Sequence, residues 1–281
     1  MGKYKTLAVV SDYWRPGEDY LKLIIEGLKG KISDGDFVVI SEKAISIATG
    51  QIFDEETMKP SLTAKLIARY WMRLVWGYIL GPLCKFGGRL LGYLRRYPLK
   101  VGSRHKQFVL NYSGFLPALM FGSEGGIDGS NLPYAYVSLP LVDAGKIAEK
   151  ILRELELRLG KKVWVMIVDT DKTYSFKNFH FTPRPTAMDE IHSFPLFLTY
   201  VLARALNLRR YPTPLTVKGS NIDIGKALRV ADIANRVRGV GAGKMVWDMA
   251  ERFDVDLTDV SWDMLETVKH KPLVIIRKTE R

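Results

Sequence analysis

Residues 162–170 read KVWVMIVDT, in which six consecutive apolar side chains precede Asp169 and Thr170. An apolar run of this length that stops at polar residues is typical of a β-strand buried on both faces. The carboxyl end of such a strand is where sheet proteins present catalytic groups. We therefore predict a strand over residues 162–168 and treat Asp169 as a candidate functional residue.

The stretches around this strand predict a sheet with helices packed on it. Residues 37–41 follow an Asp-Gly-Asp turn and form a second buried strand, and residues 6–10 form a third. The other expected elements are helices over 18–28, 144–159, 189–206, 224–237 and 243–253, strands over 215–218 and 273–277, and a loop over 171–188. Asp143 is the expected N-cap, and Gly160 the C-cap, of the helix at 144–159. Strands and helices mix without strict alternation, which predicts an α+β fold.

Length and composition exclude several classes of protein. The chain has 281 residues, of which 47% are apolar, so it can bury a sizeable core and is not disordered. Cys84 is the only cysteine, which excludes an intrachain disulfide and a Cys-rich zinc site and favours the reducing cytoplasm. The apolar run at residues 7–10 is too short for a signal peptide. Gly2 and Thr6 match a loose myristoylation pattern that many cytosolic proteins match by chance.

The net charge of +12 is concentrated in one segment. Residues 57–123 contain no Asp or Glu but eleven basic residues, whereas the rest of the chain has 31 basic and 30 acidic residues. The eleven basic residues are Lys59, Lys65, Arg69, Arg73, Lys85, Arg89, Arg95, Arg96, Lys100, Arg104 and Lys106. This asymmetry indicates an anionic partner at one place in the structure.

The basic segment is also rich in aromatic residues, but it does not span a membrane. A span needs about 20 uninterrupted apolar residues, and the longest uncharged stretch within residues 62–97, where apolar and aromatic residues dominate, is the eleven residues 74–84. Three interpretations stay open: a helical hairpin whose apolar stripe is core or dimer interface, a segment on a membrane surface, or a contact to nucleic acid or a small anion. We favour a small phosphorylated substrate, because Gly81-Pro82 and Gly87-Gly88 divide the segment into short helices.

Asp128 is the second candidate acid. It lies in GGIDGSN, residues 125–131, where the glycines let the backbone bring a carboxylate and an amide close to a ligand. Asp128 and Asp169, with hydroxyl and amide oxygens, would suit Mg²⁺ or Mn²⁺ bridging phosphates. The alternative is that Asp128 makes an Asx turn and Asp169 caps a loop. The glycine-rich run at 239–244 lacks phosphate-loop spacing and predicts a flexible link between two helices.

Four stretches in this order resemble the coenzyme F420-0:L-glutamate ligase family. They are GDFVVISEKAIS at 35–46, GIDGSN at 126–131, VMIVDT at 165–170 and DEI at 189–191. The chain is similar to a divergent archaeal-type branch of the family, with gaps, from about residue 7 to 220. The resemblance implies an α+β fold with a mixed sheet, packed helices and an intertwined homodimer. The domains expected are an F420-ligase-like domain over 1–220, which contains the basic segment, and a C-terminal helical subdomain over 221–281 that ends in a strand.

The resemblance also implies a site and a reaction. Asp128, Asp169 and Thr170 match the metal-binding positions of the family. The positions that match nucleotide contacts are Ser11, Asp12, Tyr13, Trp14, Glu42, Lys43 and Asn131. The implied enzyme is a GTP-dependent γ-glutamyl ligase: a substrate carboxylate attacks the γ-phosphorus, and the amine of an amino acid such as glutamate displaces the acyl phosphate.

The chain departs from the family pattern in three places. Residues 46–50 read SIATG where the family has Ser-Lys-Ala-Glu-Gly, and only eighteen residues, 171–188, follow Thr170 before the DEI stretch. A Gly-rich, acid-bearing loop of the family is replaced by residues 206–212, where Arg209 and Arg210 are candidates to clamp phosphate. These departures support an alternative function, a catalytically diverged binding or membrane-peripheral protein that holds an anionic partner on its basic segment.

Overall fold

A mixed sheet forms the centre of the protein in the computed structural model, which describes residues 3–122, 124–194 and 197–279. Its strands are β1 Lys3–Ser11, β2 Phe37–Ser41, β5 Trp164–Phe176, β6 Phe179–Thr182, β7 Ile191–Ser193, β8 Arg209–Lys218 and β9 His270–Thr279. They run in the order β1-β9-β2-β5, with β8 on the other side of β5 and with β6 and β7 beside the far end of β5. A separate pair contains β3 Ile52–Asp54 and β4 Tyr136–Ser138. β2 and β5 are parallel, and β9 is antiparallel to both β1 and β2.

Helices cover both faces of this sheet because its buried strands alternate their side chains between the faces. On one face, Val38 and Ile40 lie in a core with residues of the helices at 20–28 and 144–159. On the other face, Phe37 and Val39 lie in a core with the helix at 224–238. The helices are α1 Tyr20–Leu28, α2 Glu42–Ala48, α3 Leu62–Leu66, α4 Gly81–Leu83, α5 Gly88–Arg95, α6 Leu99–Tyr112, α7 Phe115–Ala118, α8 Ala144–Leu159, α9 Phe197–Ala205, α10 Ile224–Arg238, α11 Val246–Phe253 and α12 Trp262–Glu266. The predicted α+β fold with a mixed sheet is confirmed.

A third core lies in a helical lobe built largely from the basic segment. Between α3 and α4 the chain continues as a π-helix, Ile67–Leu80, whose Met72 and Trp76 are buried. The indole N–H groups of Trp71 and Trp76 both donate to the carbonyl of Leu119, at 2.7 and 2.8 Å. Among the described residues, no helix has the length and apolar content needed to cross a membrane.

The predicted loop at 171–188 is wrong in its first part, because β5 continues to Phe176 and β6 follows it, whereas residues 183–188 are irregular as predicted. The polar side chains of this region are buried and bonded across the strands: Thr173 donates to the hydroxyl of Thr213 at 3.0 Å, and Ser175 lies 2.7 Å from Nδ1 of His180. The strand predicted at 215–218 likewise starts earlier, as β8, because Arg209 to Pro214 pair with β5.

The helix predicted over 189–206 is also wrong in its first half. Residues 191–193 form β7, and α9 begins only at Phe197. Asp143 precedes α8 in a left-handed conformation, with φ of +53°, and its side chain binds Lys146 instead of capping the helix. Gly160 ends α8 as predicted, also with positive φ. Gly2 and Pro195 lie outside the described residues.

The division of the chain near residue 220 stays a prediction. The last strand of the predicted C-terminal part, β9, lies between β1 and β2 in the main sheet. The helix before it in the sequence, α12, packs through Leu265 into a small core with Tyr13.

Candidate functional site

A cleft of about 560 Å³ opens at one edge of the main sheet. The pairing of the strands places the carboxyl ends of β1 and β2, the middle of β5 and the amino end of β9 at this edge. Each contributes side chains to the walls: Tyr13 after β1, Lys43 after β2, Asp169 within β5 and His270 at the start of β9. The carboxyl ends of strands are the usual place for ligands in open sheets, so this cleft is the candidate site.

Asp169 reaches the cleft at a bulge in β5. Asp169 is opposite Thr213 in β8 and Lys172 is opposite the next residue, Pro212, so Thr170 and Asp171 are extra residues on β5. A bulge bends its strand and re-aims side chains, and all three residues from 169 to 171 line the cleft. The carboxylate Oδ1 of Asp169 accepts from the backbone N–H of Thr170 at 2.6 Å. The sequence placed Asp169 at the end of the strand, whereas the strand continues beyond it.

A buried arginine holds Asp169 in place. Arg184 is 2% exposed, and its guanidinium donates both to Asp169 and to the carboxylate of Glu42. Burial raises the pKa of Asp169, but Arg184 outweighs it, so the pKa lies below its ordinary value. Burial raises the pKa of Glu42 above its ordinary value, although Arg184 opposes the shift. Glu42, a predicted nucleotide contact, points into the interior and lines no part of the cleft.

Asp128 is held by a second cation, Lys43. The ammonium of Lys43 donates to the Asp128 carboxylate, to the Ser130 carbonyl at 2.6 Å and to the Ser130 hydroxyl at 2.9 Å. The other carboxylate oxygen of Asp128 accepts from the backbone N–H of Ser130 at 2.7 Å, which is the Asx turn considered for this residue. Asp128, Ser130 and Lys43 all line the cleft.

Asp128 and Asp169 fit a particular kind of metal site. In the described ranges no three or more His, Cys, Asp or Glu residues come together as a ready cage for a metal ion. Mg²⁺, however, is usually bound through one or two carboxylates together with substrate phosphates. Each carboxylate oxygen has two lone pairs, so Asp128 and Asp169 keep acceptor capacity beside their cation partners. With the exposed hydroxyl of Thr170, they offer hard oxygen ligands at the wall of the cleft.

Asn131 lies in the cleft wall, but its amide binds the glycine-rich run at 239–244. Its Oδ1 accepts from the N–H of Ala242 at 2.6 Å, and its Nδ2 donates to the carbonyl of Gly243 at 2.9 Å. The run joins α10 to α11, as predicted, and five of its six residues line the cleft. The polar atoms of Asn131 thus position a loop of the site.

Of the four nucleotide contacts predicted at residues 11–14, only Tyr13 lies at the cleft. Tyr13 lines the cleft, donates to the Asn131 carbonyl at 2.7 Å and stacks on His270 with 4.4 Å between ring centroids. Burial lowers the pKa of His270 to about 4, so this ring is neutral at physiological pH. Ser11, Asp12 and Trp14 do not line the cleft; Ser11 donates to the carbonyl of Asp12 at 2.9 Å, and Trp14 is buried.

The cleft is strongly basic, and sequence reasoning missed most of its cations. The Lys and Arg residues that line it are Lys43, Lys172, Arg204, Arg236, Arg238, Lys244, Lys269 and Lys271, against the carboxylates of Asp128, Asp169 and Asp171. None of the eleven cations of residues 57–123 lines this cleft. Arg209 and Arg210 also lie elsewhere, exposed on β8, so the prediction that they clamp a ligand here is wrong. Of the cations that were missed, Lys244 was the one that the sequence could have indicated, because it ends the glycine-rich run at 239–244.

A smaller chamber of about 270 Å³ adjoins the cleft. The two chambers share wall residues, among them Asp128, Thr170 and Lys244. The aromatic residues of the smaller chamber are Tyr97, Phe121, Tyr134, Tyr136 and Trp247. The cleft, which is the larger and basic chamber, is therefore continuous with a smaller, aromatic chamber.

At the wall of the smaller chamber, His105 lies between Glu55, at 2.7 Å, and Glu124, which also accepts from Lys106 at 2.7 Å. Burial lowers the pKa of His105, but the two carboxylates outweigh it and raise the pKa to about 10. Burial raises the pKa of Glu124, but Lys106 and His105 outweigh it and lower the pKa to about 2. The charges of this network balance, so the smaller chamber lacks the positive excess of the larger one.

Comparisons with known proteins give three findings. The sequence model of the family described as F420-0:Gamma-glutamyl ligase matches residues 9–195. An uncharacterized protein of Methanocaldococcus jannaschii is 34% identical over 280 residues, which cover 95% of this chain and 94% of that protein. The coenzyme F420:L-glutamate ligases of Archaeoglobus fulgidus and Methanopyrus kandleri are 29% identical over 160 residues and 25% identical over 156 residues. Each of these two matches covers 56% of this chain and 55% of the ligase.

Proposed function

Because this chain belongs to the F420-0:gamma-glutamyl ligase family, we propose that it is a nucleotide- and divalent-metal-dependent ligase that forms an amide. The resemblance inferred from four short stretches is confirmed by the family match over residues 9–195. Family membership supports a ligase function. The proposed substrates are a carboxylic acid and an amino acid resembling glutamate, with GTP as the phosphoryl donor.

The observation that carries the proposal is the excess of cations in the larger chamber. Eight Lys and Arg residues line it against three carboxylates, a balance that favours a polyanion such as a nucleoside triphosphate. Arg238 is a candidate phosphate ligand, because it forms no ion pair with a described carboxylate and burial lowers the pKa of its guanidinium, which donates only to the amide oxygen of Asn235 at 3.2 Å. Burial lowers the pKa of Lys172, a cost that a bound anion would offset.

In this proposal, Asp128, Asp169 and Thr170 hold Mg²⁺ or Mn²⁺ against the phosphates. The metal would withdraw negative charge from the transferred phosphoryl group. Lys43 fixes Asp128 in the wall that both chambers share, and Arg184 fixes Asp169 in the wall of the larger chamber. The γ-phosphate would therefore lie where the two chambers meet.

The proposed chemistry has two steps. A carboxylate oxygen of the substrate attacks the γ-phosphorus, the bond to the bridging oxygen breaks, and GDP leaves with the electron pair. The amine nitrogen of the amino acid then attacks the acyl carbon of the resulting acyl phosphate. Inorganic phosphate leaves, the nitrogen loses a proton, and the amide remains. The basic chamber would hold GTP, and the adjoining aromatic chamber would hold the body of the carboxylic acid.

Calorimetry with GTP, ATP and MnCl₂ tests the nucleotide site, and phosphate release in the presence of F420-0 and L-glutamate tests the reaction. Arg238→Met should weaken GTP binding at least about tenfold, since a hydrogen bond to a charged group contributes about 1.5–3 kcal/mol. Arg229→Met is the matched control, because Arg229 is exposed on the same helix and lies outside the cleft. Equal GTP affinities of the two variants, or no binding of either nucleotide to the wild type, would refute the proposal.

A second candidate function is anion binding without catalysis. It is favoured by one observation: both candidate metal ligands already have cation partners, Lys43 for Asp128 and Arg184 for Asp169. A protein of this kind would bind GTP without Mn²⁺ and release no phosphate with any carboxylic acid. Stimulation of GTP binding by Mn²⁺ would exclude it.

A further inference from the structure

The π-helix, together with α3 before it and α4 after it, exposes an apolar stripe on the side away from the lobe core. The exposed side chains are Leu62, Leu66, Tyr70, Leu74, Ile79 and Leu83, each between 46% and 73% exposed. We call this set the outer helical face. The i→i+5 bonding of a π-helix takes more residues per turn than the 3.6 of an α-helix, so residues four or five apart share a side. The buried residues Ile67, Met72 and Trp76 follow the same spacing on the opposite side.

Helix α9 exposes further apolar side chains on the same lobe. It packs against the π-helix through Phe197, whose ring centroid lies 5.7 Å from that of Trp71 and 6.0 Å from that of Trp76. It carries Leu198 and Leu202 and is followed by Leu206, each at least 58% exposed. Apolar surface of this extent on one lobe marks an interaction site.

Most cations of the basic segment have no acidic partner among the described residues. Of the eleven basic residues of 57–123, only Arg89, Arg104 and Lys106 form ion pairs with carboxylates of the described chain. Lys65 and Arg69 are exposed on the same helical stretch as the apolar stripe. Neither chamber of the cleft is lined by any of the eleven, so they do not clamp the ligand of that site as the sequence had indicated.

The charge distribution selects the partner. A second copy of this chain, docked through the same face about a two-fold axis, would bring the same cations together and be repelled. Nucleic acid would meet the cations but would leave the leucines without a partner, since bases stack on aromatic side chains. An anionic lipid surface satisfies both features, because apolar side chains enter the acyl boundary while Lys and Arg contact the headgroups.

We propose that the outer helical face docks this protein on a membrane that contains anionic lipids. The helices lie in the interface, with Tyr70 at headgroup level and the leucines below it. This proposal does not depend on the ligase function, because the docking surface and the cleft have no residue in common.

Co-sedimentation with vesicles tests the docking surface. We expect the wild type to bind vesicles of phosphatidylcholine with roughly one-third phosphatidylglycerol at about 50 mM salt, less at about 150 mM, and not to bind pure phosphatidylcholine. Lys65→Gln with Arg69→Gln should weaken binding about thirty-fold, at about 1 kcal/mol per cation. The control is Lys146→Gln with Lys150→Gln, an equally spaced exposed pair on α8.

A second pair of variants tests the apolar component. Leu74→Ser with Ile79→Ser should reduce vesicle binding at least about tenfold, since each buried CH₂ contributes about 0.8 kcal/mol. Leu157→Ser is the control, because Leu157 is 79% exposed on α8, outside the docking surface. GTP calorimetry on every variant distinguishes loss of docking from loss of the cleft or of the fold.

Three outcomes would overturn the proposal. The first is no binding to anionic vesicles at low salt, or binding that the Leu74 and Ile79 changes leave intact. The second is conversion of an oligomer to a monomer by those changes in sedimentation velocity, which would assign the face to contact between copies. The third is displacement of the protein from vesicles by an oligonucleotide at about 150 mM salt, which would assign the cations to nucleic acid.

Discussion

Arg184 donates two parallel hydrogen bonds to the carboxylate of Glu42, each 2.8 Å long, in the interior of the protein. The pair connects the start of α2 to the loop after β6, two segments that are 142 residues apart in sequence. Because the same guanidinium also binds Asp169, it fixes the bulge of β5 relative to the end of β2. The candidate site therefore depends on a residue that does not itself line the cleft.

Removing this guanidinium should be strongly destabilising. Arg184→Met leaves the buried Glu42 without its cation and removes the partner of the half-buried Asp169, and breaking a buried pair in this way costs about 3–5 kcal/mol of the free energy of unfolding. Urea titration at pH 7 measures the change. Arg15→Met, which removes an exposed pair with Glu266, should have a much smaller effect. Equal losses in the two variants would show that Arg184 has no special structural role.

Metal binding should depend on Asp128 and Asp169. At a concentration well above its dissociation constant, Mn²⁺ with GTP should raise the melting temperature of the wild type by about 5 °C. Asp128→Asn and Asp169→Asn should each abolish the increment due to Mn²⁺, because each removes a charged ligand. Asp143→Asn, on an exposed acid, should keep it. A wild type and variants that melt alike with and without metal would exclude these two carboxylates as ligands.

The bond between Asn131 and the glycine-rich run predicts different effects at two glycines. Gly239 and Gly241 both have positive φ, +76° and +63°, so alanine is strained at either position. A Cβ on Gly241 would also collide with the amide oxygen of Asn131, whereas none of the surrounding atoms lies within 4 Å of a Cβ on Gly239. Gly241→Ala should therefore lower the melting temperature and the GTP affinity more than Gly239→Ala. The reverse order would contradict the role given to Asn131.

The network at the smaller chamber predicts a pH dependence of stability. The pKa of His105 is about 10 in the folded protein and about 6.5 in the unfolded chain, so its contribution is complete below pH 6.5 and is lost as pH rises through 10. The pKa of Glu124 is about 2, so its contribution is complete above about pH 4.5 and is lost as pH falls toward 2. Urea titrations of the wild type and His105→Gln should converge between pH 6.5 and 10.

The exposed His192 provides the control for this measurement. His192→Gln should leave the pH dependence of the wild type unchanged. A constant difference between the wild type and His105→Gln across pH 6.5 to 10 would mean that His105 is not held as a cation.

The sequence predicted the fold where burial follows hydrophobicity and failed where polar side chains are buried. β2 was predicted at its true bounds, Phe37–Ser41, because its residues form an unbroken apolar run. The second half of β5 was missed because Thr173 and Ser175 are polar, although their hydroxyls are satisfied across the sheet. Such pairing depends on partners that are distant in sequence, and no local pattern reveals it.

The candidate site was predicted only in part for a similar reason. Asp128, Asp169 and Lys43 were found through short stretches that resemble a family, and all three line the cleft. The remaining cations come from β5, α9, α10, the glycine-rich run and the beginning of β9, so they converge only after folding. Residues 57–123 were predicted to bind an anion because of their composition, yet none of their cations lines the cleft.

The position of β9 also determines when the protein can fold during synthesis. Among the described strands β1 pairs only with β9, and β9 begins 259 residues after Ser11, where β1 ends. At about 5–20 residues per second, a ribosome takes on the order of ten to fifty seconds to add that length of chain. Throughout that interval, β1 and the β9-facing edge of β2 have no partner strand in the nascent chain. Unpaired apolar edges are the usual starting points of aggregation, so the protein is most vulnerable while it is still being made.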